Sequence, residues 1–300
     1  MKQKLLFALL FLNMFAATAQ TTVIDSIYTG GMYRSYRIYV PASYTGSTVW
    51  PLIFNLHGYT STASAQQSYS NFMPIADTAN FLMVFPQGTS LMGQPYWNAG
   101  LYTTGVDDIQ FLSELIDSLS LDYMIDQNRV YSCGMSNGGY MSQTLACALS
   151  SRIAAIASVT GSIFTGQYAT CAPGRPVPVM QISGNADGTV PYNGSSTSLH
   201  IDTVVKYWVE NNNCNPTAAF TPVPNTSTTD GCTAEHYVYS GGVMGSSVEL
   251  YKIIGGGHTW PGSPFVIGTT NQDFKASDKI WLFFRKYTLN QFVGMSEENN

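Results

Sequence analysis

Short apolar runs alternate with amphipathic segments along most of this chain. Runs typical of buried strands occur at residues 52–56, 81–85, 130–134, 154–159 and 177–182, with late strands at 235–239 and 248–254. Helical spacing of apolar residues predicts helices at 66–78, 107–121, 140–149, 202–210 and 277–287. Alternating segments at 22–28 and 33–40 predict an antiparallel hairpin at a sheet edge. This order predicts an α/β fold with a mostly parallel central sheet and helices on both faces.

The N-terminus has the pattern of a secretory signal peptide. Lys2 and Lys4 precede an apolar run at residues 5–15, and Ala17-Thr18-Ala19 has the form of a cleavage site. The apolar run is too short to span a membrane. A buried N-terminal helix is the alternative interpretation. We expect an exported protein with a signal peptide at 1–19, one folded domain at 20–288 and a polar tail at 289–300.

Charged residues are scarce in this sequence, and the balance is acidic. They make up 10% of the chain, against roughly 25% in average soluble proteins. The 13 basic and 18 acidic residues leave a net charge of -5, so no basic patch can dominate the surface and a nucleic-acid partner is not expected. A hydrophobic content of 45% excludes a disordered chain. We expect a monomer without a membrane anchor, whose uncharged surface suits neutral polymers or sugars.

The cysteines are expected to form disulfides, because export leads to an oxidising compartment. Cys214 and Cys232 flank a segment with little core of its own, and we predict that they pair. Cys147 and Cys171 flank a helix end and the following loop and form a second predicted pair. Cys133 lies in an apolar strand and should stay buried and reduced. Since no C-x-x-C motif and no cluster of His and Cys occurs, neither a metal site nor a cofactor is predicted.

Gly134-Met135-Ser136-Asn137-Gly138 fits the pattern G-x-S-x-G. Alone the motif is weak evidence, because short patterns recur by chance. Here it follows a predicted strand and leads into a predicted helix, which is the context of a nucleophile elbow. An ordinary glycine-rich turn is the alternative. The context favours Ser136 as a nucleophile at the positive end of a helix.

A serine hydroxyl needs a base, and in such an elbow fold an acid and then a histidine follow it in the chain. His258 lies on a loop after a strand and is preceded by three glycines, whereas the other histidines have the wrong order or lie in helix or strand patterns. Asp187 follows a buried strand between the serine and His258. We predict that Asp187 orients His258, which takes the proton of Ser136. An Asx turn before Gly188 is the alternative role of Asp187.

The tetrahedral intermediate of acyl transfer needs two backbone N–H donors. One is the N–H of Asn137, directly after the serine. The other is expected from the loop after the third strand, where we choose Tyr59. His57 is then interpreted as a structural residue that holds this loop.

Seven motifs in order carry a family resemblance. They are Leu56-His57-Gly58, Trp97-Asn98-Ala99-Gly100, Val106-Asp107-Asp108, Gly134-Met135-Ser136-Asn137-Gly138-Gly139, Arg175-Pro176-Val177-Pro178, Asn185-Ala186-Asp187 with Val190-Pro191-Tyr192, and Gly256-Gly257-His258-Thr259-Trp260-Pro261-Gly262. Over residues 33–286 the chain resembles the polyhydroxybutyrate depolymerase and feruloyl esterase family of secreted α/β-hydrolases. The resemblance implies a serine esterase with the triad above.

The resemblance also implies that Trp97 and Trp260 lie near the substrate cleft, with core packing as the alternative. We add Thr60 as a third expected substrate contact. Depolymerases of this group often carry Cys and Gln where this chain has Tyr59 and Thr60. That difference favours aromatic or sugar-linked esters over crystalline polyester.

The leading hypothesis is a secreted carboxylic ester hydrolase that acts on feruloyl or acetyl esters of plant polysaccharide. A polyester depolymerase is the second hypothesis. An acyltransferase shares the same acyl-enzyme chemistry. A catalytically inactive polymer-binding protein belongs to a different class, and the intact Ser136, Asp187 and His258 argue against it.

Overall fold

The computed structural model describes residues 20–101 and 105–290, so the expected signal peptide at 1–19 and most of the tail lie outside the described residues. The strands are β1 (Thr21–Thr29), β2 (Met32–Val40), β3 (Trp50–Leu56), β4 (Leu82–Pro86), β5 (Thr89–Leu91), β6 (Gln94–Tyr96), β7 (Ile125–Met135), β8 (Ala155–Val159), β9 (Val179–Gly184), β10 (Ala219–Pro222), β11 (Thr233–Tyr239) and β12 (Val248–Ile254). The helices are α1 (Ala63–Ser70), α2 (Met73–Ala79), α3 (Asp108–Asp122), α4 (Asn137–Ala148), α5 (Thr165–Tyr168), α6 (Ile201–Asn211) and α7 (Ala276–Phe284).

One large sheet organises the molecule, in the strand order β1-β2-β4-β3-β7-β8-β9-β12-β11-β10. Its six central strands, from β4 to β12, pair in parallel, whereas the two strands at each end pair antiparallel. The carboxyl ends of parallel strands meet at one edge, and ligands of open α/β sheets bind there. This mixed sheet with antiparallel N-terminal strands confirms the predicted fold class.

Two hydrophobic cores cover the two faces of the sheet. Successive side chains of a strand point to opposite faces, and accordingly Phe54 lies in one core while its neighbour Ile53 lies in the other. Helices α3, α4 and α6 supply the first core, and α2 and α7 supply the second. Within residues 20–101 and 105–290, no helix has the length and apolarity needed to cross a membrane.

The predicted helix at 66–78 is in fact two helices, α1 and α2. Asn71 ends α1 with φ 51°, a left-handed conformation that a continuous helix cannot accommodate. Pro74 lies in the first turn of α2, where its missing N–H costs nothing. The short hairpin β5–β6 was not predicted, because strands of three residues carry too little periodicity to be recognised.

The disulfide prediction is right for one pair and wrong for the other. Cys147 and Cys171 are bonded, which fits the predicted pair at the end of α4. Cys214 and Cys232 are free thiols, because Cys214 is buried in the core on one face of the sheet and Cys232 in the core on the other. Cys133 is free and buried as expected, and burial raises the pKa of its thiol.

Candidate active site

Ser136 occupies a sharp turn between β7 and α4. Its backbone has φ 54° and ψ -120°, a strained conformation for a residue with a side chain. Space for this turn depends on glycine, since a Cβ on Gly138 would lie 2.1 Å from the carbonyl oxygen of Leu56. The side chain of Ser136 makes no capping bond at the start of α4. The hydroxyl therefore remains available beside the positive end of the helix.

Asp187 and His258 are joined by a short hydrogen bond. The Nδ1 atom of His258 lies 2.7 Å from Oδ2 of Asp187, whose side chain is only 1% exposed. The other carboxylate oxygen, Oδ1, accepts from the N–H groups of Thr189 and Val190, both at 2.8 Å. Asp187 thus also makes the Asx turn that the sequence offered as its alternative role. The turn fixes the carboxylate, so it can hold the Nδ1–H tautomer of His258.

The loops that carry Asp187 and His258 are held together by Asn185. Its N–H donates to Ile253 O at 2.9 Å, and its side-chain oxygen accepts from Gly255 N–H at 2.7 Å. The N–H of Ala186 donates to Gly256 O at 3.0 Å. Because β9 and β12 are parallel neighbours, their following loops lie side by side and the aspartate meets the histidine.

Two cavities meet at Ser136. The first, which we call the His258 cavity, has a volume of 430 Å³ and is lined by Tyr59, Tyr69, Met135, Ser136, His258, Phe265 and Ile267 among others. The second, the Asn137 cavity, measures 440 Å³ and is lined by Tyr59, Trp97, Ser136, Asn137, Tyr140, Phe164, Val190, Pro191, Ser195 and Thr197 among others. Both volumes are in the range of small-molecule sites. Of the described residues, no Lys, Arg, Asp or Glu lines either cavity, which fits an uncharged substrate.

The structure brings Ser136 and His258 to the same cavity wall. Among the described contacts, the two side chains share no direct hydrogen bond. Catalytic hydrogen bonds of this kind are often long in the free protein and shorten only with substrate. The three residues chosen from the sequence therefore lie together at the carboxyl edge of the sheet, at the ends of β7, β9 and β12.

Tyr59 and Asn137, the two predicted oxyanion donors, both lie beside Ser136 in the Asn137 cavity. Within residues 20–101 and 105–290, the backbone N–H of neither residue donates to a protein acceptor. Two such N–H groups can serve a developing oxyanion. A Cβ on Gly58 would lie 3.4 Å from Ser136 Cβ, so the glycine before Tyr59 keeps the approach to the serine open.

His57 is completely buried beneath this loop and is neutral. Its Nε2 accepts from Gly88 N–H at 2.9 Å, and its Nδ1 lies 2.8 Å from Gly58 O. Nδ1 therefore carries the proton and donates a hydrogen bond to the carbonyl oxygen of Gly58. Burial lowers the pKa of His57 to about 4, although the bond to Gly58 O opposes this effect. These contacts agree with the structural role inferred from the sequence.

Of the three expected substrate contacts, Trp260 and Thr60 need correction. Trp97 lines the Asn137 cavity while being only 1% exposed. Trp260 lines neither cavity, because its ring packs on Phe72 in the core and its indole N–H donates to Ser277 at 3.1 Å. Thr60 is exposed, with a positive φ of 67°, and lines neither cavity. The cavity residues Phe265 and Tyr140 were missed, because no sequence signal separates a cavity aromatic from a core aromatic.

The remaining histidines take part in other contacts. His200 accepts from Asp202 N–H at the start of α6, and His236 lies 2.9 Å from Glu249. Over the described part of the chain, no group of three or more His, Cys, Asp or Glu could hold a metal ion. The groups around Ser136 are of the kinds that acyl transfer requires: a hydroxyl, an imidazole bonded to a carboxylate, and two backbone N–H groups.

Comparisons with known proteins find similarity to esterases. A family profile described as the prolyl oligopeptidase family matches residues 67–171. Feruloyl esterase B of Piromyces equi is 31% identical over 239 residues, which cover 75% of this chain but only 42% of that enzyme. Feruloyl esterase C of Emericella nidulans is 27% identical over 256 residues, or 84% of this chain and 83% of the enzyme.

A solved structure of similar shape is the acetyl xylan esterase from Aspergillus awamori. It superposes with a TM-score of 0.64 over 88% of this chain and 99% of its own, at 15% sequence identity. At that identity the likeness concerns the fold alone. The chain spans less than half the length of the Piromyces equi relative, so likeness to that enzyme covers only one part of it.

Proposed function

We propose that this chain, which has an α/β-hydrolase fold and resembles feruloyl esterases in sequence, is a serine carboxylic ester hydrolase. Its proposed substrates are feruloyl or acetyl esters of plant polysaccharide. One observation carries the proposal: a strained serine at a helix start shares a cavity with a histidine that is bonded to a buried aspartate. Buried acidic partners of this kind stabilise the imidazolium that forms during acyl transfer.

In the proposed reaction, His258 accepts the proton of Ser136 as the hydroxyl oxygen attacks the ester carbonyl. The resulting oxyanion accepts hydrogen bonds from the N–H groups of Tyr59 and Asn137. His258 then donates the proton to the leaving alcohol oxygen, and the acyl group remains on the serine. A water molecule repeats the sequence and releases the acid, while Asp187 keeps the imidazole in one orientation.

The two cavities support an assignment of the two halves of the ester. The alcohol must leave beside the atom that protonates it, so it belongs in the His258 cavity. The acyl group then belongs in the Asn137 cavity, where Tyr140 is stacked on Phe164 at 4.1 Å between ring centroids. The hydroxyls of Ser195 and Thr197 in the same lining suit a hydroxylated aromatic ring. This lining favours a hydroxycinnamoyl group over a small aliphatic one.

A polyester substrate is the second candidate, and a surface feature favours it. Phe265, Val266 and Ile267 are 56%, 65% and 60% exposed, in a loop that borders the His258 cavity. Consecutive exposed apolar residues are unusual on a soluble monomer and mark contact with apolar material. Such a loop suits an apolar polymer better than a polysaccharide chain.

We further propose that the protein is exported. The N-terminal pattern supports this, and so does the Cys147–Cys171 disulfide, since disulfides persist in oxidising compartments.

The proposed activity is tested with an alkyl fluorophosphonate probe and three substrates: methyl ferulate, p-nitrophenyl acetate and a hydroxybutyrate trimer. The wild type should be labelled and should hydrolyse methyl ferulate faster than the hydroxybutyrate trimer, while p-nitrophenyl acetate, with its activated leaving group, reports esterase activity as such. Ser136→Ala should lose both labelling and activity, whereas Ser132→Ala, on the same strand but outside both cavities, should keep both. Absence of labelling in the folded wild type would favour the inactive binding protein. Faster cleavage of the trimer would favour the polyester, and ester exchange with added alcohol would favour an acyltransferase.

A further inference from the structure

The two proposed oxyanion donors belong to separate segments of the chain. Tyr59 follows β3, and Asn137 follows β7. An oxyanion hole works only when both N–H groups reach one oxygen atom at hydrogen-bond distance. Some contact must therefore fix the loop after β3 relative to the start of α4.

The side chain and backbone of Trp97 connect these two segments. The backbone N–H of Trp97 donates to Asn137 Oδ1 at 2.6 Å, and Asn137 Nδ2 donates to Trp97 O at 3.0 Å. The indole N–H of the same tryptophan donates to His57 O at 3.0 Å. His57 lies two residues before Tyr59, so one buried residue is bonded to both halves of the hole.

The segment that carries Trp97 is itself fixed to the core. The backbone N–H of Asn98 donates to Asp108 Oδ2 at 2.7 Å. The opposite oxygen of Asp108 accepts from the guanidinium of Arg34 at 2.5 Å, and both charged side chains are buried. The two side chains stay together because separating them would leave an uncompensated charge in the interior, which is strongly unfavourable. The position of Trp97 is therefore fixed by this ion pair as well as by its bonds to His57 and Asn137.

We propose that Trp97 is a positioning residue that sets the separation of the two oxyanion donors. The proposal rests on the proposed esterase function. It assigns Trp97 a role beyond that of a wall of the Asn137 cavity, since its indole N–H is bonded to the backbone carbonyl of His57. The side chain of Asn137 has the matching role on the other half of the hole. Loss of either link should lower the rate of the chemical step and leave substrate binding unchanged.

The test uses Trp97→Phe, which removes the indole N–H and keeps an aromatic ring. Trp208→Phe is the matched control, because Trp208 is equally buried and its indole N–H donates to Gln143 at 2.7 Å, outside both cavities. We expect Trp97→Phe to lower kcat by at least about 10-fold with KM changed less than about threefold, since loss of one donor outright costs about 10²–10³-fold. Trp208→Phe should leave kcat near the wild-type value.

A comparison of two acyl groups distinguishes a positioning role of Trp97 from an effect on the shape of the cavity. Acetyl and feruloyl esters of one alcohol should lose kcat by the same factor in Trp97→Phe, because every ester carbonyl uses the same two donors. A loss confined to the feruloyl ester would make Trp97 a cavity wall and overturn the proposal. An unchanged kcat would overturn it too.

A second variant keeps the test decisive if Trp97→Phe does not fold. Asn137→Ala cuts the other link and should give the same equal loss on both esters with KM preserved; unequal losses, or none, would refute the positioning role. A folded wild type without activity on any ester would refute the proposed function instead, which is a distinguishable result.

Discussion

His57 should make the stability of this protein fall steeply as the pH drops from 6.5 to about 4. The imidazole is completely buried, with Nε2 accepting from Gly88 N–H and Nδ1–H donating to Gly58 O. A second proton on Nε2 would abolish the first of these bonds and place a charge in the core. Burial accordingly lowers the pKa of His57 from 6.5 to about 4.

The sign and size of the effect follow from these two values. Between pH 4 and 6.5 the unfolded chain binds a proton at His57 and the folded chain does not, so the free energy of unfolding rises with pH across this window. Above pH 6.5 the contribution is constant, and below about pH 4 the loss is complete. The difference in pKa corresponds to about 3 kcal/mol, since each tenfold change in proton affinity is worth about 1.4 kcal/mol.

Urea unfolding of wild type and His57→Gln, followed by tryptophan fluorescence at several pH values from 4 to 7.5, measures this contribution. Glutamine keeps an uncharged acceptor near the position of Nε2 and cannot titrate. The variant should be less stable than wild type at pH 7.5, because it loses the donor to Gly58. Its stability should depend less on pH, by about 3 kcal/mol over the window. Subtracting the two curves cancels the titration of all shared groups.

Parallel stability curves for the two proteins would refute the reasoning. If His57→Gln does not fold, NMR titration of the labelled histidines of the wild type gives the same information. A His57 resonance that titrates near 6.5 in the folded protein would show that burial does not depress its pKa.

Three further changes test other contacts. Asp187→Asn should lower kcat by about 10³–10⁴-fold with little change in KM, because an amide favours the wrong tautomer of His258; a near-normal rate on methyl ferulate would leave the aspartate as a turn residue only. Cys147→Ser should lower the free energy of unfolding by about 3 kcal/mol, since the bond to Cys171 closes a loop with a sequence separation of 24, and equal urea midpoints for variant and wild type would contradict this. Burial disfavours the charged form of Glu249, but hydrogen bonds from a histidine and a lysine outweigh the effect of burial and hold the carboxyl pKa below 4.5. The charged carboxylate therefore contributes stability above pH 4.5, and this contribution is lost as the pH falls further. Glu249→Gln should therefore cost about 1–3 kcal/mol at pH 7 and less at pH 3, and an equal loss at both pH values would disprove the ionic contribution.

Local pattern was sufficient for the fold class and for the choice of Ser136, Asp187 and His258 as the residues to examine. Each lies at the end of a strand that can be recognised in the sequence by its run of apolar residues. The chain order of serine, acid and histidine limited the candidates further. Glycines next to Ser136 and His258 showed where the backbone must turn or approach closely, because only glycine allows it.

Contacts between distant segments were decided by the tertiary structure. Cys214 follows α6 in the core on one face of the sheet, whereas Cys232 precedes β11 in the core on the other face, so their closeness in the chain does not bring the two thiols together. From the sequence, Trp97 and Trp260 had the same expected role, yet Trp97 is bonded to Asn137 and His57 whereas Trp260 packs in the core. The difference arises because side-chain bonds depend on which strands become neighbours, and neighbours in the sheet are not neighbours in the chain.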